Sequence, residues 1–135
     1  MDDIFVARLM SSTVHSVPPD TLVEEAANRM LEAEIGSVVV VNSTNRLEGI
    51  ITTTDFVQIV AERKPKDRTP VSHYMTTDVI TIGPQDTIRE VAEIMVDNGI
   101  SHVPVITDER EVIGMISTTD LTNYISNLPN ATIHP

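Results

Sequence analysis

The sequence predicts an α/β protein, of the α+β kind, built from two copies of one β-α-β-β-α unit. Three observations carry this expectation. Shifting the chain by 65 residues aligns 6–60 with 71–125 without a gap, and 15 of the 55 pairs are identical, among them Met10/Met75, Pro19/Pro84, Gly49/Gly114 and Asp55/Asp120. Coincidence supplies only a few such matches, and a fixed period marks an internal duplication. Each copy contains one stretch of apolar residues at helical spacing. Each follows it with two short β-branched runs separated by a polar turn.

The elements follow in order. A β-prone run opens each copy, at 14–17 and 79–82, and a proline turn ends it (Pro18-Pro19; Gly83-Pro84). Apolar residues then fall at 23, 26, 27, 30 and 31, and again at 88, 91, 92, 95 and 96. That spacing lines one face of a helix, so Met30 and Met95 are expected in the core. Gly99 suits the left-handed residue that closes a helix. Glu34 holds the matched place in the first copy, so that helix is expected to end differently.

The runs 38–41 and 103–106 have the length and branching of buried strands. Pro104 has no N–H, so its strand is expected at an edge or interrupted there. Polar turns at 42–46 and 107–111 lead to third strands, 47–52 and 112–117, each closing a hairpin. Short helices over 54–61 and 119–126 end the copies. The expected organisation is a first repeat with its N-terminal segment over 1–62, a linker over 63–70, a second repeat over 71–126 and a loose tail over 127–135. The linker holds Arg63, Lys64, Lys66 and Arg68 with two prolines and reads as a solvated connection.

Charge narrows the function. Nine Lys and Arg against 20 Asp and Glu leave a net charge of −11. No basic footprint for nucleic acid is present. An acidic excess with two lysines suits work in concentrated salt, and an ordinary acidic surface fits equally. The absence of cysteine excludes disulfides, thiolate metal sites and cysteine nucleophiles, and fits a reducing compartment. The first residues lack the basic and apolar regions of a secretion signal. No run approaches the ~18 apolar residues of a membrane span. A cytoplasmic protein with no nucleic-acid or membrane partner is expected. Asn42-Ser43-Thr44 and Asn130-Ala131-Thr132 match the glycosylation triplet and read as turn and tail residues. No general acid–base pair, activated nucleophile or metal-ligand cluster stands at motif spacing, so neither an enzyme nor a metal site is expected.

One motif has chemical content. Gly49-Ile50-Ile51-Thr52-Thr53-Thr54-Asp55 recurs as Gly114-Met115-Ile116-Ser117-Thr118-Thr119-Asp120. It falls where the third strand ends and the last helix starts. A helix N-terminus offers free N–H groups and a positive dipole end. Thr52 and Ser117 offer hydroxyls. Asp55 and Asp120 offer carboxylates able to accept both hydrogen bonds of a ribose diol. Thr/Ser-x-x-Asp is also a capping box that merely closes the helix start. Both readings stand, because one hydroxyl can cap an empty site and contact a ligand in a filled one.

The repeat unit, this doubled segment and Ile100-Ser101-His102-Val103-Pro104-Val105 together resemble a tandem CBS domain pair, or Bateman module, over residues 6–126. The acidic composition resembles archaeal members from saline environments. The resemblance implies two units packed through their sheets about a pseudo-twofold axis, with two clefts between them. It implies an adenosine-containing ligand (AMP, ADP, ATP or S-adenosylmethionine) and no required cofactor. On this likeness Asp55 with Thr52 and Asp120 with Ser117 hold ribose and phosphate, with Thr54 and Thr119 beside them. Adenine lies against Thr13-Val14-His15, Asp78-Val79-Ile80, Gly36-Ser37-Val38 and Ser101-His102-Val103, next to Pro104.

His102 matches a place where family members often carry a basic residue reaching phosphate. A half-buried packing role is equally open, and at an ordinary pKa near 6.5 it is mostly neutral at pH 7. Ser37 and Val39 stand where the second copy has His102 and Pro104, so the cleft served by repeat one is expected to suit phosphate less, and the clefts to differ. Arg8 and His73, at matched positions, read as surface residues, with phosphate contact as the alternative, and His15 receives no metal role. The net charge repels a polyphosphate at low salt and less where the Debye length shrinks to ~3 Å at 1 M. That favours nucleosides, monophosphates or S-adenosylmethionine over ATP. The resemblance implies a regulatory module, a stand-alone pair forming a homodimer and acting on a protein the sequence does not name. The competing reading is a ligand-independent dimerisation or interaction scaffold.

Overall fold

The computed structural model describes residues 4–129. A four-residue helix α1 (Val6–Leu9) precedes β1 (Ser16–Val17), α2 (Val23–Ala33), β2 (Ser37–Val41), β3 (Leu47–Thr52) and α3 (Thr53–Ala61). A 3-10 turn at Val71–His73 then leads to α4 (Ile88–Asn98), β4 (His102–Ile106), β5 (Val112–Ser117) and α5 (Thr118–Ser126). β1 runs parallel to β2, and β2–β3 and β4–β5 are antiparallel hairpins. The expected tail from 130 onward, with the Asn130 triplet, lies outside the described residues.

The strand expected over 79–82 does not form. It is reduced to one parallel bridge between Ile82 and Val105, and Pro104 is the reason. In the first copy Val39 donates its N–H to the His15 carbonyl at 3.2 Å. The matched donor in the second copy is Pro104, which has no N–H to give. Only the bonds from Ile82 N–H to the Pro104 carbonyl (3.1 Å) and from Ile106 N–H to the Ile82 carbonyl (3.0 Å) remain. The edge alternative holds, since β4 is one of only two strands in its sheet among the described residues, and the interruption falls on its neighbour.

The helices correct two further expectations. α2 and α4 end alike. Glu34 (φ 55°) and Gly99 (φ 62°) are both left-handed, and Ile35 and Ile100 donate to Met30 and Met95 carbonyls at 3.0 and 3.1 Å, which are Schellman closures. Glu34 bears a steric penalty of about 1–2 kcal/mol that glycine avoids. The apolar stripes are also narrower than their spacing predicts. Val23, Ala26 and Met30 are buried, as are Ile88, Val91 and Met95, but Leu31 is 77% exposed and Val96 81%. A single sheet lies against each helix, and it covers only one edge of the stripe.

The segments entering the copies are exchanged. Val6 donates its N–H to the Asp86 carbonyl at 2.8 Å and Ile88 to the Ile4 carbonyl at 2.9 Å. Val6, Leu9 and Met10 pack in the core of the second copy. The matched bonds run from Val71 to Thr21 (2.7 Å) and from Val23 to Thr69 (2.8 Å), and Val71, Tyr74 and Met75 pack in the first core. This exchange supplies a missing cap. Leu22, the N-cap of α2, has no capping side chain, and the Thr69 carbonyl takes one of the orphan N–H groups of that helix. Residues 61–68 stay exposed while Thr69 is buried.

Each exchanged segment crosses a motif strand at its glycine. A Cβ on Gly49 would lie 2.9 Å from the Thr76 carbonyl oxygen, and one on Gly114 would strike Met10 Sδ. Beside those glycines Thr76 and Ile50 trade N–H···O bonds at 2.9 and 3.0 Å, and Ser11 and Met115 at 2.8 and 2.9 Å. Every one of these contacts maps onto its mate under the 65-residue shift, as a pseudo-twofold axis requires. Between the copies Val39, Leu47 and Val112 form a third apolar cluster with Val14 and Val79. The two sheets meet there.

Candidate functional site

β3 passes into α3, and β5 into α5, without an intervening residue. Thr52 and Ser117 therefore end a strand and cap a helix at once. Thr52 donates its N–H to Asp55 Oδ2 at 2.7 Å. Ser117 does the same to Asp120 Oδ2 at 2.8 Å, and Asp120 N–H returns a bond to Ser117 Oγ at 3.3 Å. The capping reading of the motif holds in both copies. It does not exhaust the carboxylates. Every bond goes to Oδ2, so among the described residues Oδ1 of each aspartate keeps its accepting capacity.

Both aspartates line clefts, and each cleft is walled by both copies. The first, about 250 Å³, joins Ser117, Thr119 and Asp120 to Thr13, Val14, His15, Gly36 and Ser37. The second, about 380 Å³, joins Thr52, Thr54 and Asp55 to Asp78, Val79, Ile80 and Ser101. The exchange makes this happen, since Ser11 pairs with Met115 on β5 and Thr76 with Ile50 on β3 just before residues 13–15 and 78–80 reach the clefts. His102, at the start of β4, borders both clefts. It serves no single repeat. Burial pushes its pKa down, with the nearby Asp120 charge opposing. Burial pushes the Asp55 carboxyl up, against the hydrogen bonds from Thr52.

Val103 and Pro104, expected beside adenine, line neither cleft. Both are buried within β4, where Val103 faces the second core. Val38 is likewise buried in the first core. Arg8 is exposed on α1, and His73 lines a separate open groove with Lys64 and Arg68. Sequence reasoning missed Ser11, Glu34, Ile35 and Met115 in the first cleft and Ile50, Thr53, Thr76, Gly99 and Ile100 in the second. Ser11 and Met115 are the repeat mates of Thr76 and Ile50, so symmetry would have paired them once one was placed. Among the described residues no group of acidic or histidine side chains is placed to hold a metal ion, and no helix is long and apolar enough to cross a membrane.

The sequence model of the CBS domain matches residues 6–62 and 71–127. The chain belongs to the CBS domain family. It carries the domain as a tandem pair, a regulatory type of module. An uncharacterised 17.7 kDa protein of Acidianus ambivalens is 35% identical over 116 residues, covering 86% of this chain and 70% of that protein. A homoserine O-acetyltransferase of Methanococcus vannielii is 32% identical over 126 residues, 93% of this chain but 26% of the transferase. The CBS pair thus spans about a quarter of that enzyme. In three dimensions the pair is similar to the CBS domain pair of protein MJ0100 solved with 5′-methylthioadenosine and S-adenosyl-L-methionine, with a TM-score of 0.87, 26% identity, and coverage of 93% of this chain and 98% of that one.

Proposed function

We propose that this CBS pair is a sensor of an adenosine-containing ligand, an adenine nucleotide or S-adenosylmethionine, bound in the two clefts. The observation that carries the reading is the free Oδ1 of Asp55 and of Asp120, each on the wall of a cleft built from both copies. A ribose hydroxyl donates to that oxygen while Oδ2 goes on capping the helix. In the second cleft the Ile80 carbonyl, left without the donor that His15 receives, can accept from the adenine amino group. The adenosyl compounds bound by the similar CBS pair support the same class of ligand. A ligand touching both copies favours one relative orientation of them, and a partner that reads orientation responds.

The partner surface is apolar. Leu31 with Val60, and their repeat mates Val96 with Ile125, are exposed on the helices. A second copy of the chain covers these faces, and sedimentation as a dimer that Leu31→Lys with Val96→Lys converts to a monomer is the expected result. A CBS-like segment inside a homoserine O-acetyltransferase supports an enzyme as the regulated partner, and an adenosine-containing ligand supports a cytoplasmic location.

Calorimetric titration with AMP, ATP, S-adenosylmethionine and 5′-methylthioadenosine tests the sensor reading. Binding lost in Asp55→Ala with Asp120→Ala, on a folded protein, is expected. Unchanged affinity in that variant refutes the ribose assignment. No binding of any of them leaves the interaction-scaffold reading.

A further inference from the structure

No lysine or arginine lines either cleft. The acidic residues lining the first are Asp120 and Glu34, and those lining the second are Asp55 and Asp78. In each, one acidic residue comes from the repeated motif and the other from an unmatched position. Glu34 stands where the second copy has Gly99, and Asp78 where the first has Thr13. The two copies reach the same cleft charge by different residues. Glu34 does so from a left-handed conformation that glycine would adopt without strain.

The usual phosphate-binding devices are spent or missing. The N-termini of α3 and α5 point their positive dipole ends at carboxylates of their own chain, Asp55 and Asp120. His102 is held toward its neutral form. His15 is the remaining basic side chain, and it lines the first cleft alone. A nucleotide phosphate entering either cleft meets a lining with two acidic residues and no permanent cation, an unfavourable arrangement for a multiply charged anion.

We propose that the clefts select a cationic adenosyl compound, an adenosyl sulfonium, and reject adenine nucleotides. This rests on the reading of the clefts as adenosine sites. With ribose on Asp55 or Asp120, the 5′ substituent is the part of the ligand that varies, and the acidic lining residues left to meet its charge are Glu34 in the first cleft and Asp78 in the second. A sulfonium at that carbon is attracted where a phosphate is repelled.

The test is calorimetry on the full chain at pH 8, with EDTA and again with magnesium, at low and at high salt. S-adenosylmethionine is expected to bind at least about tenfold more tightly than ATP at low salt, with the gap narrowing as salt screens the carboxylates. Glu34→Gln and Asp78→Asn are each expected to weaken S-adenosylmethionine roughly three- to tenfold more than they weaken uncharged 5′-methylthioadenosine. Glu34→Lys with Asp78→Lys is expected to raise ATP affinity, and the neutral variants keep the test intact should that one not fold. ATP binding as tightly as the sulfonium in either buffer, or neutral variants that leave their ratio unmoved, overturns the selectivity and leaves the adenosine sensor standing. Failure of every adenosyl compound overturns both.

Discussion

The imidazole of His102 occupies space that a side chain on Gly36 would need: a Cβ built there would lie 3.0 Å from both Cε1 and Nε2. A residue of the second copy is thus seated against the loop that ends α2 in the first. The ring also borders both clefts, so the contact ties the two sites to the packing between copies.

Gly36→Ala should therefore disturb binding more than folding. The added methyl meets the far end of a side chain that can rotate, so a stability loss under about 1 kcal/mol is expected. The displaced ring intrudes on the clefts, and adenosyl affinity falls several-fold. Chemical denaturation and calorimetry on the same sample check the pair of outcomes. A large stability loss with unchanged affinity would contradict the placement of His102.

The motif glycines give a second, ranked expectation. At Gly49 a methyl meets the Thr76 backbone oxygen at 2.9 Å as well as the Met75 side chain at 2.6 Å. At Gly114 the closest backbone atom, the Ser11 carbonyl oxygen, stands at 3.2 Å, and the tighter contact is with the flexible end of Met10. Gly49→Ala should cost roughly 1–3 kcal/mol, and Gly114→Ala less. Urea unfolding measures both, and the reverse order would refute the idea that the crossing segments demand these glycines.

Much of this was legible in the residues. The shift of 65 located Asp55 and Asp120, and helical spacing found Val23, Ala26 and Met30 because a buried stripe leaves a periodic trace. The exchange of 4–10 with 69–75 was not legible. It rests on backbone bonds such as Val23 to Thr69, and a carbonyl has no side-chain signature. Leu31 and Val96 fit the stripe by spacing, but spacing does not report how wide a surface the sheet offers. Glu34 escaped notice as a cleft residue because propensity assigns its conformation to glycine, so the same αL closure was not expected of it.

Acid response should isolate Asp55. Burial raises its carboxyl pKa in the folded protein, above the ordinary value near 3.8. The folded state then binds its proton more tightly than the unfolded chain does. Its contribution to stability is fully present below the ordinary value and is lost as pH rises through the folded one. Asp55→Asn keeps an oxygen for the Thr52 N–H and removes the ionisation. Relative to the parent, the variant should gain stability between pH 3 and pH 7. Denaturant unfolding across that range checks the sign, and a difference that is flat or falls with pH is incompatible with a raised carboxyl.

Glu34 offers the sharpest separation of folding from binding. Its left-handed backbone (φ 55°) closes α2 as Gly99 closes α4, and the residue lines the first cleft. If that charge is there for a ligand, the conformation is a strain retained for function. Glu34→Gly should stabilise the fold by about 1 kcal/mol, since the steric penalty of a left-handed side chain disappears, which for a domain of this size raises the melting temperature by a few degrees. The same change should weaken an adenosyl sulfonium in the first cleft and leave the second, where Gly99 already stands, untouched. Two-site calorimetry read beside thermal unfolding distinguishes the cases. A variant that is more stable and binds as well as the parent would show that Glu34 contributes only strain. One that is less stable would show that the side chain holds the helix end in a way its geometry does not reveal.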